Sequence, residues 1–103
     1  MGKLGRAAPL PPEFQGRWIV VGEPTSELIV DGGEITCFGR AVEYDYKEII
    51  EAEGAVTVRL AIDDLANEDT FQRTNITSLV KTPESEFHVY NVKFACQVVR
   101  ANS

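Results

Sequence analysis

This sequence is short of the residues that most chemistry needs. One histidine, one tryptophan, one methionine and two cysteines stand among 103 residues. Cys37 and Cys96 are too few for a disulfide framework, and their spacing is unlike a CxxC zinc knuckle. His88 is the only imidazole, so any histidine acid or base must be this residue. No Ser-His-Asp or Cys-His arrangement accompanies it, and it reads as a strand-end residue near a rim. Bases are scarce too: 10 Lys+Arg face 16 Asp+Glu, for a net charge of −6. Phosphate-backbone binding relies on clustered Lys and Arg, so a nucleic-acid partner is not expected. No apolar run approaches the ~20 residues of a membrane helix, and the start lacks the apolar core of a secretory signal. The expectation is a cytoplasmic protein with reduced thiols and no membrane partner. The acidic residues Asp63, Asp64, Glu68 and Asp69 lack the spacing and glycine of an EF-hand loop. Gly32-Gly33 sits in a hairpin rather than before a helix, so no phosphate loop is present. Asn75-Ile76-Thr77 matches a glycosylation acceptor but has no secretory route to serve it. No metal, no cofactor and no enzymatic activity are expected.

What the sequence has in quantity is alternation. Val56, Val58, Leu60 and Ile62 share one face of a strand, against Ala55, Thr57, Arg59 and Ala61. Tyr90, Val92, Phe94, Cys96 and Val98 repeat the pattern, as do Val42, Tyr44 and Tyr46. Leu28 with Val30, and Ile35 with Cys37, give shorter versions. Period-two patterning with one apolar face marks antiparallel sheet. Asp31-Gly32-Gly33-Glu34, Glu53-Gly54, Thr82-Pro83-Glu84-Ser85 and Gly22 to Ser26 supply the turns. Strands are expected near 16–22, 26–31, 34–40, 41–50, 55–62, 70–81 and 86–100. The stretch 63–69 has room for one helical turn at most.

Residues 1–12 differ from the rest. They carry Lys3 and Arg6 but no acid, and they contain Pro9, Pro11 and Pro12. They read as a flexible N-terminal arm ahead of a single domain over 13–103. The expected fold is all-β: one antiparallel meander of about seven to eight strands curled into a small barrel, with a β-sandwich as the alternative. A barrel of about eight strands is only wide enough for its own side chains or one small ligand.

Phe14-Gln15-Gly16-Arg17-Trp18 resembles the Gly-x-Trp motif that opens the first strand of lipocalins and their calycin relatives. In that family the tryptophan plugs one end of an up-and-down barrel and packs on an arginine near the end of the last strand. Arg100 holds the matching place, so the resemblance implies a structural pair of Trp18 and Arg100 and a barrel with an apolar mouth. The chain is shorter than a typical lipocalin and lacks the helix that follows the family's barrel. Asp45-Tyr46 lies too close to Trp18 to be the family's Asp-Tyr element.

The functional expectation is a binding protein. Trp18, Tyr44, Tyr46, Tyr90 and Phe94 fall on faces assigned to the interior, where phenol groups seek hydrogen-bond partners that a small apolar ligand can supply. The alternative is a protein-interaction or self-assembling module, a homo-oligomer among them. It would use an edge strand or an outer face carrying Ile29 and Phe38.

Overall fold

Period-two alternation becomes ten antiparallel strands in a single curled sheet, seen in a computed structural model that describes residues 3–37, 39–93 and 95–101. The strands are β1 (Lys3–Gly5), β2 (Gly16–Val20), β3 (Glu23–Asp31), β4 (Glu34–Cys37) and β5 (Arg40–Ala41). They continue with β6 (Tyr46–Ala52), β7 (Ala55–Ala61), β8 (Ser78–Lys81), β9 (Phe87–Tyr90) and β10 (Ala95–Arg100). Two-residue turns at Gly32-Gly33 and Glu53-Gly54 set register, pairing Asp31 with Glu34 and Ala52 with Ala55. The fold is all-β and antiparallel as expected, in one half-barrel sheet rather than two packed ones.

Neighbours run β1-β6-β7-β8-β9-β10-β2-β3-β4-β5. β2 therefore lies beside the last strand β10, and the sheet's edges are β1 and β5. Residues 42–45 carry the chain from β5 at one edge to β6 beside the other. Five Cα steps span at most ~17 Å, so the sheet has to curl until its edges approach. No ladder among the described residues closes the ring.

The N-terminal segment supplies the edge strand β1 and then crosses toward β4 and β5 instead of trailing into solvent. β1 pairs with β6 through Lys3 and Glu48, Leu4 and Lys47, and Gly5 and Tyr46. The Arg6 guanidinium then reaches Glu34 at 2.7 Å and Glu43 at 2.8 Å, and the Leu10 amide donates to the Gly32 carbonyl at 2.9 Å. Leu10 is 3% exposed, and burying such a side chain contributes about 1.5–3 kcal/mol. A side chain at Gly33 would collide with the backbone carbonyls of Arg6 and Ala8, so only glycine lets the segment cross here. Proline and charge suggested an arm; one leucine and one arginine anchor it.

Two further readings change. The strand expected over 70–81 splits into α1 (Glu68–Thr74) and β8. Asp64 caps the preceding 3-10 turn by accepting from the Ala66 amide, Glu68 and Asp69 sit at the helix's positive end, and Phe71 turns into the core. The long strand expected over 86–100 is a hairpin broken at 91–94. Its pairing of Tyr90 with Ala95 puts Tyr90 on the outer face, whereas Val89 shares the inner face with Cys96. Tyr90 and Val92 are accordingly 36% and 60% exposed. The inner faces hold Leu28, Val30, Ile35, Val58, Leu79, Val89 and Val98, all buried in one core.

Candidate functional site

The two ends of the curled sheet are built differently. At the end where β2 begins and β10 finishes, a short 3-10 turn (Pro12–Phe14) delivers Phe14 beneath the sheet. Its ring meets Phe87 at 5.0 Å between centroids, and Phe87 meets Trp18 at 4.3 Å. The Trp18 indole nitrogen donates to the Phe14 carbonyl at 3.1 Å, which satisfies its one polar atom in a buried setting. Arg100 lies over the other side, its Cζ 4.1 Å from the Trp18 ring, and its Nη1 donates to the Gln15 carbonyl at 2.5 Å. Gly16 has φ +118°, and a Cβ there would strike the Arg100 guanidinium. The Gly-x-Trp spacing thus has a local reason: the glycine vacates the space the arginine needs to lie on the indole.

Along the seam stands a buried polar group. Lys47 is fully buried because it pairs with Leu60 on the inner face; the chain leaves the ladder at 42–45 and re-enters with its alternation reversed. Lys47 Nζ donates to the Gly5 carbonyl at 2.7 Å and to Tyr44 Oη at 3.2 Å. Tyr44 Oη in turn donates to the Gly33 carbonyl. Burial lowers the Lys47 ammonium below its ordinary range, opposed by Glu34, and burial pushes the Tyr44 phenol up to about 12. Every polar atom of this cluster has a partner, so it ties β1, the turn between β3 and β4, and β6 together rather than awaiting a ligand.

The opposite end is open. A pocket of about 260 Å³ lies among the β4–β5 turn, the C-terminal end of α1 and the β9–β10 turn. Cys37, Val42 and Ile76 supply its apolar part, and Arg40, Arg73, Thr74, Asn75 and Asn91 its polar part. The amides are braced from behind: Asn91 Nδ2 donates to the Gln72 carbonyl at 2.8 Å and to that of Asn75, and Asn75 Nδ2 donates to the Phe71 carbonyl at 3.3 Å. Arg73 Nε is 3.1 Å from Asp69 Oδ2, one helical turn back. Burial pushes the Cys37 thiol up to about 12, with Cys96 acting in the same direction, and both cysteines are free thiols.

The described residues among the five expected to line one interior site are not gathered there. Trp18 belongs to the plug and Tyr44 to the seam. Tyr46 is half-buried beside a smaller cleft of about 100 Å³ between α1 and the outer face of β6 and β7. It shares that face with its partner Ala61 because of the reversal at 42–45. Tyr90 points outward, and Phe94 lies outside the described residues, as does Phe38. The expected pair of Trp18 and Arg100 is in contact, as described above. His88 Nε2 lies 3.2 Å from Glu86 Oε1 on the outer side. Among the described residues no group of three His, Cys, Asp or Glu side chains is placed to hold a metal ion. Asp64 is spent on the turn at Ala66 and Asn67, and Asp45 accepts from the Asp63 amide at 2.9 Å. The pocket residues Arg40, Arg73, Asn75 and Asn91 gave no such signal in the sequence, since they come from β5, two separate turns and a helix read as strand.

Fold and site together define an all-β antiparallel half-barrel, plugged at one end and pocketed at the other. No protein-family model, curated protein or solved structure matches the chain. Among the described residues no helix is long and apolar enough to cross a membrane.

Proposed function

We propose that this protein binds one small organic molecule in the pocket at the open end of the sheet. The observation that carries the reading is the contrast between the two ends. The interior and one end are filled by packed side chains, and the other end keeps a concave space of about 260 Å³ with apolar and polar walls. Sites for drug-sized ligands run to roughly 300–1,000 Å³, so the ligand is smaller than these. The small-ligand expectation is retained, and its place moves from the interior to the mouth. The lipocalin-like barrel remains the architectural reading; the contact of Arg100 with Trp18 supports it. Free thiols at Cys37 and Cys96 fit a reducing, cytoplasmic setting.

The test is a titration of 15N-labelled protein with benzyl alcohol, followed by two-dimensional amide spectra. Saturable shifts confined to Val42, Thr74, Asn75, Ile76 and Asn91 are expected. Thr74→Trp, at an exposed position on the pocket wall, should abolish them. No saturable shift, or shifts scattered over the sheet, would refute the reading.

A second reading, self-assembly, is favoured by one surface. Val21 and Val99 are 54% and 42% exposed, and Val99 pairs with Ile19 across the outer face of β2 and β10. Light scattering over a concentration series tests it: association that Val99→Lys removes supports an assembly face, and a strict monomer rejects it.

A further inference from the structure

Six arginines stand in the sequence, and in an acidic chain most find a counter-charge at once. Arg6 holds Glu34 and Glu43, Arg17 holds Glu27, Arg59 faces Glu48 and Arg73 faces Asp69. Arg100 is spent on Trp18 and the Gln15 carbonyl. Arg40 is the exception: among the described residues its guanidinium has no ion pair, hydrogen bond or aromatic partner, and it lines the mouth pocket.

The pocket's own charge makes this more pointed. The chain has 16 acids, yet the described pocket wall carries two arginines and no carboxylate. Arg40 is positioned by β5, where it pairs with Cys37, so the guanidinium and the apolar floor are set by neighbouring residues of one hairpin. Arg73 stands on the facing wall, on α1, its Nε held by Asp69. A guanidinium is planar, weakly hydrated and permanently charged, and its paired N–H groups match the two oxygens of a carboxylate. Val42 and Ile76 beside it favour an apolar body attached to that head.

Resting on the small-molecule reading above, we infer that the ligand is a small organic carboxylate. Its head is taken by Arg40, and its apolar body lies against Val42 and Ile76. The carboxylate forms a charge-assisted pair with the one arginine left without a partner among the described residues. Screening by salt weakens this pair, because Arg40 is exposed.

Benzoate and its neutral analogue benzamide, titrated separately into the labelled protein, test the inference, with inorganic phosphate as a third probe. Benzoate is expected to bind about tenfold tighter than benzamide at low salt, with the advantage shrinking as salt rises. Arg40→Gln should bring benzoate down to the benzamide level. Equal affinity of the two probes would overturn the carboxylate assignment, and a benzoate preference that survives Arg40→Gln would overturn the role of Arg40, while benzamide binding keeps the pocket reading intact. Phosphate binding tighter than benzoate would overturn the role of the apolar body. Binding of none of the three would remove both the inference and the reading beneath it.

Discussion

Substituting Gly16 should destabilise the protein through Arg100, a residue at the far end of the domain sequence, and a double-mutant cycle can measure that link. Arg100→Met removes the guanidinium from the Trp18 face, 4.1 Å away, and the hydrogen bond to Gln15. A cation on an aromatic face contributes about 0.5–2 kcal/mol and a charged hydrogen bond about 1.5–3. Arg100 is exposed and the Gln15 carbonyl regains water, so a total near 2 kcal/mol is expected. Gly16→Ala introduces a Cβ at φ +118°, a backbone strain of about 1–3 kcal/mol. It also expels the guanidinium, so the single variant should lose about 3–4 kcal/mol. In an Arg100→Met background only the strain remains. The two losses should therefore fall short of additivity by about 1–2 kcal/mol. Urea unfolding followed by circular dichroism gives the four stabilities, and emission of the sole tryptophan, Trp18, reports the plug directly. Additivity to within about 0.5 kcal/mol would show that Gly16 and Arg100 act independently and would refute the packing argument.

Other outcomes follow from the seam and the thiols. Leu10→Ala should cost about 2–4 kcal/mol in urea unfolding, whereas a free arm would show no change. Lys47 gives up its proton in the folded protein below the ~10.4 of an unfolded lysine, so between the two values only the unfolded chain holds that proton and stability rises with pH. Tyr44 acts in the opposite sense: raised to about 12, it keeps its proton where an unfolded phenol loses it, so stability falls from about pH 10 upward. The urea midpoint should climb toward about pH 10 and then drop; Lys47→Met flattens the climb and Tyr44→Phe the drop, and a Lys47→Met profile identical to wild type would contradict this. Cys37, with its thiol pushed up to about 12, should react with a maleimide at neutral pH far more slowly than in denaturant, and equal rates would show that the burial argument fails.

By itself the sequence determined the class of fold. Alternation over 55–62 and the two-residue turns at Gly32-Gly33 and Glu53-Gly54 dictate antiparallel hairpins, because both are properties of a few neighbouring residues. It also carried Gly16, Trp18 and Arg100, although only stacking in space explains why the first must lack a side chain. What lies in separate turns was decided by tertiary structure. The burial of Lys47, the outward turn of Tyr90 and the helix at 68–74 each depend on which partner strand or core the segment meets, since one missed residue in a ladder reverses every face after it. The gap between β6 and β5 drew residues 3–10 into the sheet, because an unpaired edge and a buried leucine outweigh the entropy of a free end. The mouth pocket is of the same kind. Arg40, Arg73 and Asn91 are far apart along the chain, and only the curl of the sheet brings them around one space.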